Sequence, residues 1–85
     1  MTHEELHAAL AEIGWTEDRR DEGTVFFYSP RDIVQRGVQT VPDLPELACC
    51  LERRSRRQGP NRAETTLEEA LEWARGHERA ARRMQ

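Results

Sequence analysis

Eighty-five residues, 36% hydrophobic and 34% charged with a net charge of −3, define one small domain with a thin core. A chain this short buries only about 60–65% of its unfolded surface, which leaves little interior for a deep catalytic cavity. No apolar run approaches the roughly 20 residues of a membrane span, and Met1-Thr2-His3-Glu4-Glu5 lacks the basic and apolar segments of a secretory leader, so the expected setting is cytoplasmic, away from any membrane.

Thr2 and Glu5 form a capping-box pair, and Leu6, Leu10 and Ile13 recur at helical spacing before Gly14, which predicts a helix over residues 3–13. His3-Glu4-Glu5-Leu6-His7 inside it matches the H-E-x-x-H pattern, in which two histidines bind zinc and the glutamate activates the metal's water. A catalytic site would need a third ligand. The remaining histidine is His77, and the first helical turns oppose a dication. The pair therefore reads as histidines flanking an apolar stripe, with no metal and no cofactor expected.

Residues 15–20 and 24–29 are expected to pair as antiparallel strands about a turn at Asp21-Glu22-Gly23. The run Val25-Phe26-Phe27-Tyr28 concentrates three of the chain's five aromatics. Val25 and Phe27 should face one way and Phe26 and Tyr28 the other, so that helices cover one face and the second is partly covered or a contact surface. Pro30 ends the strand, Arg31 to Val34 turn or make a short helical turn, and Gln35 to Val41 supply a third strand.

Pro42-Asp43-Leu44-Pro45-Glu46 reads as a helix start, with Leu44, Leu47, Ala48 and Leu51 as the buried stripe. The adjacent Cys49 and Cys50, the chain's two cysteines, make neither a disulfide framework nor a Cys-x-x-Cys pair, and read as small residues of a reduced helix. Arg53, Arg54, Arg56 and Arg57 follow at the expected end of this helix, with Arg62 beyond Gly59-Pro60-Asn61. All thirteen basic residues are arginine, which reads first as codon composition, although guanidinium forks suit anions well. The cluster suits solubility and a helix C-terminus, or a patch for phosphates or an acidic protein. It lacks interleaved aromatics.

Thr65 or Thr66 caps a last helix with Leu67, Ala70, Leu71, Ala74 and Ala81 on its core-facing arc. Glu68, Glu72 and Glu78 precede Arg75, Arg79 and Arg82 at ion-pair spacing on its outer side. Trp73 lies on the flank of that arc, to overhang the sheet or to meet a partner.

Two local stretches resemble known families. Gly14-Trp15, Val25 to Pro30 and the segment with Leu47 and Leu51 resemble the strand-rich half of methyl-CpG-binding domains, implying a DNA reader; Gly23-Thr24 stands where those domains carry tyrosine-aspartate. Pro42-Asp43-Leu44-Pro45 and Thr66-Leu67-Glu68-Glu69-Ala70-Leu71 resemble pieces of HicB-type antitoxins, with a longer insert between them.

The fold expected is α+β: an N-terminal helix, a two- or three-stranded antiparallel sheet, and two C-terminal helices packed on it. The function expected is binding without catalysis, with a protein partner, as for a phage or mobile-element inhibitor, an antitoxin or an accessory subunit. The expected contact residues are Arg53, Arg54, Arg56, Arg57, Arg62, Trp73 and Tyr28. The alternative is a nucleic-acid regulator using the Arg53 to Arg62 cluster, and a second copy of the chain is a further candidate partner.

Overall fold

The computed structural model describes residues 1–31, 34–55, 57 and 59–83. In chain order it contains α1 (His3–Glu12), β1 (Thr16–Arg19), β2 (Val25–Tyr28), β3 (Gln35–Thr40), β4 (Leu47–Arg53), β5 (Asn61–Thr66) and α2 (Leu67–Arg83), with a short 3-10 turn at Asp21–Gly23. The strands form one antiparallel meander in the order β1-β2-β3-β4-β5. Both helices lie against the same face.

The elements at the N-terminal end form where local chemistry places them. The Thr2 hydroxyl accepts the Glu5 N–H, the Glu5 carboxylate accepts the Thr2 N–H, and the capping box opens α1. The β1–β2 hairpin closes through Glu22 and Gly23, at φ 63° and 80°, so that Arg19 faces Val25 and Thr16 faces Tyr28. Gly23 suits this left-handed conformation, and a side chain there would also strike the Pro42 ring. The third strand runs from Gln35 to Thr40 as expected.

The C-terminal half departs from expectation: there is one helix after the sheet instead of two, and the sheet has five strands. The segment from Leu44 to Leu51 is not helical. Two consecutive turns carry Val41 to Leu47, with Leu44 N–H donating to the Val41 carbonyl and Leu47 N–H to that of Leu44, and β4 follows. The stripe Leu44, Leu47, Ala48, Leu51 fits a helix, but the unbroken run Leu47-Ala48-Cys49-Cys50-Leu51 fits a central strand equally well. Pairing decides between them, because as a strand β4 satisfies its backbone on both sides, against β3 and β5. The fifth strand, Asn-Arg-Ala-Glu-Thr-Thr, has no apolar alternation and is almost wholly exposed, as an edge strand tolerates. Thr65 belongs to this strand, and Thr66 caps α2 by accepting the Glu69 N–H at 3.2 Å.

Phe27 sits at the centre of the core at 1% exposure, between Val25 and Val38 on the sheet and Leu6, Leu10, Leu67, Ala70, Leu71 and Ala74 on the helices. Glu78 is the unexpected member. In place of an outward ion pair with Arg82 alone, its side chain is 4% exposed and accepts from Trp15 Nε1 (3.3 Å), Arg31 Nη1 (2.7 Å) and Arg82 Nε (3.1 Å). The turn expected over residues 31–34 lies partly outside the described residues.

Candidate functional site

Strand alternation sorts the sheet into two surfaces. Val25, Phe27, Val38, Ala48 and Cys50 face the helices. Phe26, Tyr28, Gly37, Gln39, Cys49, Leu51 and Arg62 face away, and the register sets them in rows: Tyr28, Gly37, Leu51 and Arg62 in one, Phe26, Gln39, Cys49 and Glu64 in the next. Among the described residues no helix covers this second surface.

At its centre is an open groove of about 420 Å³, whose lining includes Phe26, Tyr28, Gly37, Leu51, Arg53 and Arg62. Phe26 and Tyr28 alternate along β2 and their rings lie stacked, 24° apart in plane with centroids 6.1 Å apart. Phe26 can lie flat because Gly37 is beneath it; a Cβ at Gly37 would overlap ring atoms Cζ and Cε2. Leu51 is 9% exposed although it stands outside the main core. Beside this groove a second hollow brings Val41, Leu44, Leu47 and Cys49 together, extending the apolar band across the bare face. Leu44 at 40% and Tyr28 at 39% are among the most exposed large apolar residues.

The charged side chains lining the groove are basic among the described residues: Arg20, Arg36, Arg53 and Arg62, in a chain of net charge −3; Glu64 stands on the same face two residues along β5 from Arg62 and lines the second hollow with it. Arg20 lies over the Phe26 ring at 5.4 Å, a cation–π contact, and also pairs with Asp18 at 3.2 Å. Arg36 pairs with Glu52 at 3.3 Å. The Arg54 hydrogen bond to Glu52, 2.7 Å long, holds that carboxyl below the usual carboxylate range, and Arg36 acts in the same direction. Arg53 and Arg62 have neither an ion pair nor a side-chain hydrogen bond among the described residues.

The expected contact residues are thus divided. Tyr28, Arg53 and Arg62 come together at the groove. Arg54 is tied to Glu52, Arg57 is exposed in the β4–β5 connection, and Arg56 lies outside the described residues. Arg53 and Arg54 do not end a helix, because β4 is a strand. Trp73 belongs to the opposite layer, edge-on to Trp15 with centroids 6.2 Å apart and against His77 at 5.0 Å. Phe26 shares its face with Tyr28 as the alternation of β2 predicts, Leu51 is there as a strand residue where a helix stripe is expected, and Gly37 and Arg20 join the site through register.

The histidines of the H-E-x-x-H match are engaged in packing α1. His3 Nε2–H donates to the Leu44 carbonyl at 3.0 Å. His7 Nε2 is hydrogen-bonded to Thr40 Oγ1 at 2.8 Å, and its ring stacks on Phe27. Burial lowers the His7 pKa, and His3 and Arg19 lower it further. Among the described residues no cluster of three or more His, Cys, Asp or Glu is placed to hold a metal. The cysteines face opposite ways, Cys49 on the bare surface and Cys50 toward α2, where burial pushes its thiol up to about 11. Among the described residues no helix is long and apolar enough to cross a membrane. No family model matches the chain, and no curated protein or solved structure matches it.

Proposed function

We propose that this chain acts by binding another protein through the helix-free face of its sheet, as an inhibitor, antitoxin or accessory subunit would, and performs no chemistry of its own. One observation carries the reading: Phe26, Tyr28, Leu51, Cys49 and Leu47 form an apolar band on that face, flanked by Arg20, Arg53, Arg62, Gln39 and Glu64. An apolar and aromatic centre within a polar, arginine-rich rim is the usual anatomy of a protein interface. A single-stranded nucleic acid is the second reading, favoured by arginines beside stacked aromatics, which suit phosphates and bases.

Affinity capture from the native cell tests the first reading. Tyr28→Asp puts a charge into the band without touching the core, whereas Arg75→Ser alters the exposed side of α2. Loss of the partner with Tyr28→Asp and retention with Arg75→Ser, both variants folded by circular dichroism, is the expected result. Retention with Tyr28→Asp and loss with Arg75→Ser would move the contact surface to the helices.

A further inference from the structure

From the charge around the groove we infer that the partner docks there through an extended acidic segment, two carboxylates on Arg53 and Arg62 and an apolar side chain on the floor made by Phe26, Tyr28 and Leu51. The inference rests on the helix-free face being a protein-contact surface, and it adds what the contact recognises.

Four arginines line the groove, with no carboxylate among its described lining residues. Arg20 and Arg36 already have acidic partners. Arg53 and Arg62 have none among the described residues, and each presents a planar fork suited to bidentate pairing with a carboxylate. Arg62 stands opposite Leu51, and Arg53 is two residues farther along the same side of β4. The two are therefore diagonal neighbours across an antiparallel pair, roughly 7–8 Å apart at the backbone. An extended segment carries its alternate side chains about 6.7 Å apart on one side. Acidic residues at alternate positions match that spacing.

Charge also separates this occupant from a nucleic acid. Affinity for a polynucleotide grows with the number of phosphates neutralised. Two arginines without an acidic partner among the described residues, on a protein of net charge −3, supply few such contacts, but they match two carboxylates whose segment also buries an apolar side chain. A second copy of the chain packed face to face about a two-fold axis would set one arginine-lined groove near another.

Fluorescence anisotropy tests the inference with a labelled peptide, Gly-Ser-Phe-Gly-Glu-Ser-Glu-Gly-Ser, its counterpart with both glutamates replaced by lysine, and a labelled oligothymidylate. The acidic peptide is expected to bind, to weaken with salt, and to lose at least about tenfold in affinity to the Arg53→Ser/Arg62→Ser variant, since hydrogen bonds to charged groups are the strong ones. The lysine peptide and the oligothymidylate should bind more weakly than the acidic peptide. Failure of the acidic peptide to bind, equal binding by the lysine peptide, or indifference to the double substitution would overturn the inference. Tighter, arginine-dependent binding of oligothymidylate would overturn it in favour of a nucleic acid, and self-association abolished by Tyr28→Asp in favour of a second copy. Native capture separates the two levels: partner loss with Tyr28→Asp but retention with Arg53→Ser/Arg62→Ser sinks the acidic segment and leaves the protein-contact face standing.

Discussion

Replacing Glu78 with alanine should be among the most destabilising single changes in the helical layer, and the structure allows its size to be worked out. The carboxylate joins three stretches of chain: Trp15 just after α1, Arg31 just after β2, and Arg82 one turn along α2. Breaking a fully buried charge pair costs about 3–5 kcal/mol, but Arg31 is 38% and Arg82 57% exposed at the side chain, so both guanidinium groups recover water when freed. The Arg82 contact is a helical-spacing pair at the surface and contributes only tenths of a kcal/mol. Trp15 is different. It is 3% exposed, and its indole N–H loses its acceptor, a penalty of about 1–3 kcal/mol.

Adding partial loss of the Arg31 contact and of the buried methylenes gives about 2–4 kcal/mol for Glu78→Ala. Glu78→Gln keeps the shape and an acceptor for the indole, and should cost about half as much. A domain of this length has roughly 4–13 kcal/mol of stability in total, from about 0.05–0.15 kcal/mol per residue, so the alanine variant loses a large share. Urea unfolding followed by tryptophan emission measures this, with an unchanged m-value showing that the same surface is exposed. A loss below about 1 kcal/mol for Glu78→Ala, with Glu78→Gln indistinguishable from it, would mean that the indole N–H was not held by this carboxylate, and the reasoning would fail.

Other outcomes follow from single side chains. His7 is held neutral in the fold, its pKa lowered chiefly by burial; the unfolded chain therefore takes up the proton first, and stability is full above about pH 6.5 and falls as the pH drops through the folded-state value. Melting temperatures at pH 7.5 and 5.5 should show a drop for the native chain that His7→Gln reduces, and an identical drop in both would refute the assignment. Cys50 should resist alkylation at pH 8, because its thiol is pushed up to about 11, whereas Cys49 on the bare face should react; a bulky maleimide there should block partner capture, and mass spectrometry after digestion identifies which cysteine was modified. Gly37→Val should displace the Phe26 ring, which a Cβ would overlap. Overpacking costs about 1–3 kcal/mol, toward the lower end here because the ring is only half buried and can swing outward, so partner affinity should suffer more than the melting temperature.

The capping box at Thr2, the β1–β2 hairpin and the two-sided character of β2 were legible in the residues because each is fixed by neighbours in the chain. β4 and β5 were not. An unbroken run such as Leu47 to Leu51 is compatible with two periods, and Asn61 to Thr66 carries neither; both become strands through partners distant in sequence. The same limit explains the arginines. Read along the chain, Arg53 to Arg62 form one cationic cluster without aromatics. Folded, the β4–β5 hairpin disperses the run, setting Arg53 and Arg62 on the bare face, tying Arg54 to Glu52 and leaving Arg57 exposed. The aromatics come from β2, two strands away, where Tyr28 shares a row with Leu51 and Arg62 across Gly37.

That row also explains why one face stays uncovered. A meander places every strand beside its sequence neighbour, so the helices can only precede or follow the sheet, and here α1 and α2 take the same side because Leu6, Leu10, Leu67 and Leu71 close over Phe27 together. A thin core uses its apolar residues there first, since a chain of this length has few to spare. Residues as large as Phe26, Tyr28 and Leu51 on the opposite side add little to that core, and an antiparallel sheet can leave such a face to water with polar residues alone. Their presence beside two arginines without acidic partners among the described residues is what a surface shaped for contact, rather than for solvent, would carry.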